Sequence, residues 1–153
     1  AVERSEAAQI QSLLKSVVNA EQLYYLQNKH FTKNFEDLDI TIPFKGTDGG
    51  YAYKRMPPEY VGSLRSNGRW DLFLYGYGMM PAHINVMAFN SKGKYEKAGW
   101  CAGTTAPDYH FSPAVLNCCS VSDSPLPETY CQQLLGFSQR FDGVGGGYFI
   151  SYR

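Results

Sequence analysis

Cys101, Cys118, Cys119 and Cys131 carry most of the chemistry this sequence could perform, with His110 lying between the first two of them. A nucleophilic thiolate needs a neighbouring histidine and a lowered pKa, and His110 offers only its place in a loop. Zinc is a better competitor, because Cys101, His110, Cys118 and Cys131 would supply a Cys₃His set. The two-residue Cys-x-x-Cys knuckle is missing, however, and adjacent cysteines fit a tetrahedral site awkwardly. Disulfides suit the pattern best: an even number of cysteines, all in one third of the chain, within a loop-rich segment. That reads as a stapled region made in an oxidising compartment. The expectation is therefore no catalytic residue, no metal and no cofactor.

The remaining candidates are weaker. Asp37 with Asp39 is a thin basis for a cation site. The glycines at 143–147 precede a strand rather than a helix and are followed by no Lys–Ser/Thr pair, which argues against a phosphate cradle. The 14 basic and 14 acidic residues balance to zero net charge, so a broad electrostatic surface for nucleic acid or anionic membrane is not indicated. Aromatics at 15 %, twelve of them tyrosine, suggest either a stacking surface for DNA or sugar or strands with one wet and one dry face. With no basic patch beside them, strand packing accounts for most.

At 153 residues the chain is one domain by size, large enough to bury a real core. Its longest uninterrupted pattern is the opening, Ala1–His30, which contains neither glycine nor proline. Ile10, Leu13, Leu14, Val17 and Tyr24 recur at helical spacing, with Ala20 and Tyr25 widening the stripe, so the pattern predicts one amphipathic helix packed on a sheet. Residues 1–9 offer only small or polar side chains besides Val2. A helix of about 40 Å, apolar mainly in its second half, is expected to project at its first end and to continue upstream. At its other end Asn28 is expected to take the left-handed turn.

Residues 31–50 read as a surface connection pinned by Phe31, Phe35, Leu38, Ile40 and Ile42. Tyr51–Arg55 and Glu59–Leu64 are weak strands. Trp70–Tyr75 and Ile84–Phe89 alternate clearly, and Lys94–Trp100 follows the turn at Asn90–Gly93. Connections this short force antiparallel pairing. From Cys101 to Cys131 the pattern dissolves into Ser-Pro and Thr-rich loops. A short helix from Pro127 or Glu128 to Leu135 stops at Gly136, and Tyr148–Tyr152 is a last strand. The fold class expected is α+β: a long N-terminal helix across a small antiparallel sheet with one apolar face, followed by a C-terminal disulfide-bounded loop region. The divisions are helix 1–30, connecting loop 31–50, antiparallel sheet 51–100, disulfide-bounded variable region 101–131, and tail with final strand 132–153.

The run AVERSEAAQIQSLLKSVVNAEQLYYLQNKHFTKNFEDLDI, with WCA at 100–102, CQQLLG at 131–136 and YFISY at 148–152, resembles a type IV pilin, or the related type II secretion pseudopilin, lacking the hydrophobic front half of its helix. The resemblance covers the helix and the chain ends, and covers 102–130 poorly. It departs from the family at Lys29–His30, where a glycine is common, and in having four cysteines rather than one pair. It implies the pilin fold and a structural subunit of an extracellular filament. Such a subunit is anchored in the inner membrane by the missing segment, passes through the periplasm, and polymerises through the helix with other copies of itself and related pilins. Alternatives within the resemblance are a minor or tip pilin that binds a surface, a glycan or DNA, and a secretion pseudopilin. The absence of an acidic cluster near the C-terminus argues against the calcium loop that pseudopilins can carry. No nucleic acid is expected for the shaft role. The resemblance further implies that residues 1–9 face other subunits, with Glu3, Arg4 and Glu6 pairing across that contact. It also suggests Cys101–Cys131 as the family bridge. That would leave Cys118 and Cys119 to a strained adjacent bridge, so crossed pairings remain open.

Overall fold

The computed structural model describes residues 2–47, 58–76, 82–106, 116–121, 129–144 and 149–152. Helix α1 (Val2–Asn28) is followed by a 3₁₀ turn at Phe35–Asp37 and strands β1 (Lys45–Thr47), β2 (Val61–Ser66), β3 (Trp70–Tyr75), β4 (His83–Asn90), β5 (Ala98–Thr105) and β6 (Leu116–Val121). A π-helical turn at Thr129–Leu134 precedes β7 (Arg140–Val144) and β8 (Phe149–Tyr152). The strands form one sheet in the order β1-β2-β3-β4-β5-β6-β8-β7, antiparallel throughout.

This sheet of eight strands overturns the expected pilin fold, with its small sheet and separate disulfide-bounded loop region. β1 lies inside the expected connecting loop, β5 runs past Trp100 to Thr105, β6 lies within the expected variable region, and the tail supplies two strands, β7 and β8. β6 escapes a pattern reading because its sequence, LNCCSV, puts half-cystines, Asn and Ser where β-branched residues usually mark a strand. The weak strand at Tyr51–Arg55, together with Pro127, Glu128 and Tyr148, lies outside the described residues.

The expectation of a single apolar face also fails. Trp70, Leu72 and Leu74 of β3, with Ile84, Val86 and Ala88 of β4, join the core on the helix side. Phe73, Tyr75, Met87, Phe89, Cys101, Cys119 and Val121 form a second buried cluster on the opposite side. Both sets in β3 and β4 are largely apolar, which is the signature of strands buried on both faces rather than of a wet-and-dry meander. The link from β2 to β3 is a turn that the sequence advertises: Asn67 Oδ1 accepts the N–H groups of Arg69 and Trp70, and Gly68 takes φ +88°. Asn-Gly is a strong short-range hairpin signal.

α1 crosses β5 and β4, where Ala88, Ala98 and Ala102 present small side chains to it. Ile10, Leu14 and Val17 are buried there, while Leu13 and Tyr24 are half-buried at the margins of the stripe. Ala7 is also buried, so the helix docks further forward than its sequence suggests. At the other end Lys29, not Asn28, takes the left-handed conformation, with φ 63°. The Lys29 N–H returns to the Tyr25 carbonyl at 2.7 Å, and Asn28 instead caps the Tyr24 carbonyl through its side chain at 3.0 Å.

The connection after the helix is pinned as its apolar spacing predicts. Phe31, Phe35 and Leu38 are buried, and Ile40 and Ile42 pack against the same core. It is also stitched to β2. The Lys33 carbonyl accepts the Ser63 N–H at 2.8 Å, and the Ser63 hydroxyl donates to Asn34 Oδ1 at 3.1 Å. Arg65 pairs with Glu36 at 2.6 Å while lying over the Phe35 ring.

Candidate assembly surface and the joints behind it

Turned away from the sheet, α1 presents Ser5, Ala8, Ser12, Ser16 and Asn19 at spacings of three and four, all exposed. This strip of short side chains is bracketed by three exposed large apolar residues: Val2 at one end, and Leu23 and Leu26, each about 60 % accessible, at the other. Arg4 and Lys15 are its exposed charges. Beside it runs a groove lined by Ile10, Leu13, Pro43, Phe44 and Trp70, with Glu6 and Arg69 at its rim. One face of the helix is therefore committed to the sheet, and the other is exposed from Val2 to Leu26.

The front of that surface is held by polar contacts. Glu6 accepts the Trp70 indole N–H at 3.1 Å and pairs with Arg69 at 2.8 Å, and Arg4 donates to the Leu134 carbonyl at 3.0 Å. Arg4 and Glu6, assigned to an inter-subunit contact by the resemblance, thus already have partners within the chain. Glu3 joins neither set and is half-exposed. The projecting first end expected from residues 1–9 is replaced by a docked one. Behind Glu6 stand edge-on rings: Trp70 and Tyr95 each meet Tyr130, and Trp100 meets Phe137. The Trp100 indole N–H donates to the Tyr130 hydroxyl at 3.2 Å. Burial pushes the Tyr130 hydroxyl up to about 12, opposed by the Trp100 bond and aided by Glu6 and Tyr95.

The rear joint contains an ionisable residue set among apolar ones. Glu21 is fully buried. Burial raises its carboxyl from the ordinary 4.5 to about 7; the Thr32 N–H bond works against that shift, and the charge of Asp37 adds to it. Glu21 sits four residues after Val17, on the apolar stripe, and that register was the available signal. Next to it Gln22 donates to the Thr104 hydroxyl at 3.1 Å, fixing the helix to β5.

The cysteines settle into two crossed bridges, Cys101–Cys119 and Cys118–Cys131, with Cα separations of 6.0 and 5.8 Å. Alternation along β6 explains this. Adjacent residues of a strand point to opposite faces, so Cys118 enters the helix-side core and Cys119 the other cluster. The Cys101–Cys131 bridge suggested by the resemblance is absent. With all four sulfurs joined, no thiolate is left for a nucleophile or for the Cys₃His set, and His110 lies outside the described residues. Among the described residues no three His, Cys, Asp or Glu side chains converge to hold a metal ion. Asp37 is engaged instead with the Thr32 hydroxyl at 2.6 Å. On the second face His83 lies 3.0 Å from the Asn85 amide, and burial lowers its pKa.

No family model, curated protein or solved structure matches the chain.

Proposed function

We propose that this chain is a structural subunit of a type IV pilus or related extracellular filament, joined to further copies through its N-terminal helix. The observation that carries the reading is the free outer face of α1: a helix docked along its length, with short side chains outward and exposed Val2, Leu23 and Leu26 at the two ends. A face of that kind lets a second rod approach closely, and Leu23 and Leu26, three residues apart and so neighbours on the helix surface, lose exposed apolar area when a second copy covers them. The similarity of the opening forty residues to type IV pilins supports the same conclusion. So does the use of all four cysteines as staples, which suits a subunit exposed outside the cell.

The test uses the full gene product in cells that make filaments. Sheared filaments should contain this chain as a dominant component. Ser12→Arg or Leu23→Asp should cut filament yield at least several-fold, while the purified variants keep their unfolding free energy within about 0.5 kcal/mol, as surface substitutions do. Filaments that form normally with both substitutions, or a chain present only in trace amounts beside another shaft protein, would overturn the shaft reading.

A further inference from the structure

The joint between α1 and the connection that follows it is closed by a buried carboxyl. Glu21 has no accessible surface; its Oε1 accepts the Thr32 N–H at 3.0 Å, and among the described residues its Oε2 has no hydrogen-bond partner. Thr32 donates its hydroxyl to Asp37 Oδ2 at 2.6 Å and accepts the Asn34 N–H at 3.0 Å. Carboxyl, threonine and the turn at Phe35–Asp37 are therefore one connected set.

Among the described residues, the charged and titratable groups of the surrounding elements do not neutralise it. Along the connection Asp37 has the same sign, Glu36 is paired with Arg65 of β2, and Lys33 reaches away to the Glu59 carbonyl. The His30 ring bonds to the Phe31 carbonyl and lies edge-on to Tyr24 of the helix, and β5 contributes the neutral Thr104. No cation is paired with Glu21 among the described residues.

We propose that Glu21 is a proton-gated clasp: protonated, it holds the 31–38 connection against the helix, and ionised, it lets the connection and the last turns of α1 part. A carboxylate buried without a counter-charge is strongly disfavoured, and one hydrogen bond does not offset its lost hydration. Opening returns it to water. The raised carboxyl pKa agrees with this and sets the direction. The clasp is tightest below about pH 4.5, weakens as pH rises, and reaches its loosest state above about pH 7. What opens is the tilted contact of Phe31 on Tyr25, with centroids 4.8 Å apart, beside the already exposed Leu23 and Leu26. The clasp therefore governs how much apolar surface this end of the helix shows, whether or not the chain polymerises.

Amide hydrogen exchange on the monomeric protein, corrected for intrinsic rates, tests this. Between pH 4.5 and 7.5 the Thr32 amide should lose protection by roughly two orders of magnitude and then level off. The amides of β4 and β5 should lose less. In Glu21→Gln the Thr32 profile should be flat. A flat wild-type profile, or the same loss in Glu21→Gln, overturns the clasp. Should Glu21→Gln fail to fold, NMR titration of the wild-type Glu21 carboxyl decides: a midpoint near 7 that falls in Asp37→Asn supports the clasp, and a midpoint near 4.5 refutes it.

Discussion

Glu21 shows how a single side chain ties the fold to solution conditions. Its folded value, about 7, lies above the ordinary 4.5, so the folded state binds the proton more tightly than the unfolded chain does. The stability that the proton supplies is fully present below about pH 4.5 and is lost as pH rises through about 7. At about 1.36 kcal/mol per pKa unit, the loss amounts to roughly 3 kcal/mol. Urea unfolding of wild type and Glu21→Gln at pH 4.5 and pH 8 should show that difference in wild type alone. Gly62 constrains the same joint from the other side. A Cβ at Gly62 would sit 2.1 Å from the Lys33 carbonyl oxygen, which is already bonded to the Ser63 N–H. Gly62→Ala must therefore push the connection off β2, at a cost of about 2 kcal/mol or more. The measurement is chemical denaturation, and an unchanged midpoint would show that the connection yields without loss.

Among the elements, α1 announces itself by apolar residues at a period of 3.6, and β3 and β4 by short apolar runs bounded by turn residues, whose near-continuous apolarity is that of strands buried on both faces. The ends are harder. Nothing in the run Asn28–Lys29–His30 says that a lysine will take the left-handed conformation, since that choice is made when Asn28 turns its amide back to the Tyr24 carbonyl. A side chain at φ 63° is strained where glycine is not. Lys29→Gly should accordingly raise stability by about 0.5–1 kcal/mol in thermal unfolding, and a loss would mean that the lysine side chain holds something there. β6 was hidden for a different reason: its apolar alternation is made by sulfur, and the cysteines draw attention to their bonding before their facing. In a strand, LNCCSV excludes an adjacent Cys118–Cys119 bridge by alternation alone. The docked front of the helix was illegible because it depends on Trp70 and Leu134, distant in sequence, meeting Glu6 and Arg4.

For the whole molecule, the two bridges do different work because they lie on opposite faces of one sheet. Cys101–Cys119 joins β5 to β6, neighbours that the backbone ladder already pairs, and sits in the cluster away from the helix. Cys118–Cys131 ties β6 to the π-helical turn, whose Tyr130 and Leu134 support the front of α1. The loops they close are of similar size, with sequence separations of 18 and 13, so chain-entropy arguments give each about 3 kcal/mol. Global stability should therefore fall by comparable amounts in Cys101→Ala/Cys119→Ala and in Cys118→Ala/Cys131→Ala. Local protection should not. Loss of the second bridge releases the turn that supplies the Leu134 carbonyl to Arg4, so amides in the first turns of α1 should exchange at least several-fold faster. Loss of the first should leave them close to their wild-type rates. Equal exchange in the two double variants would mean that the helix front is held by Glu6 and Trp70 alone, and that the bridge behind it stiffens only its own loop.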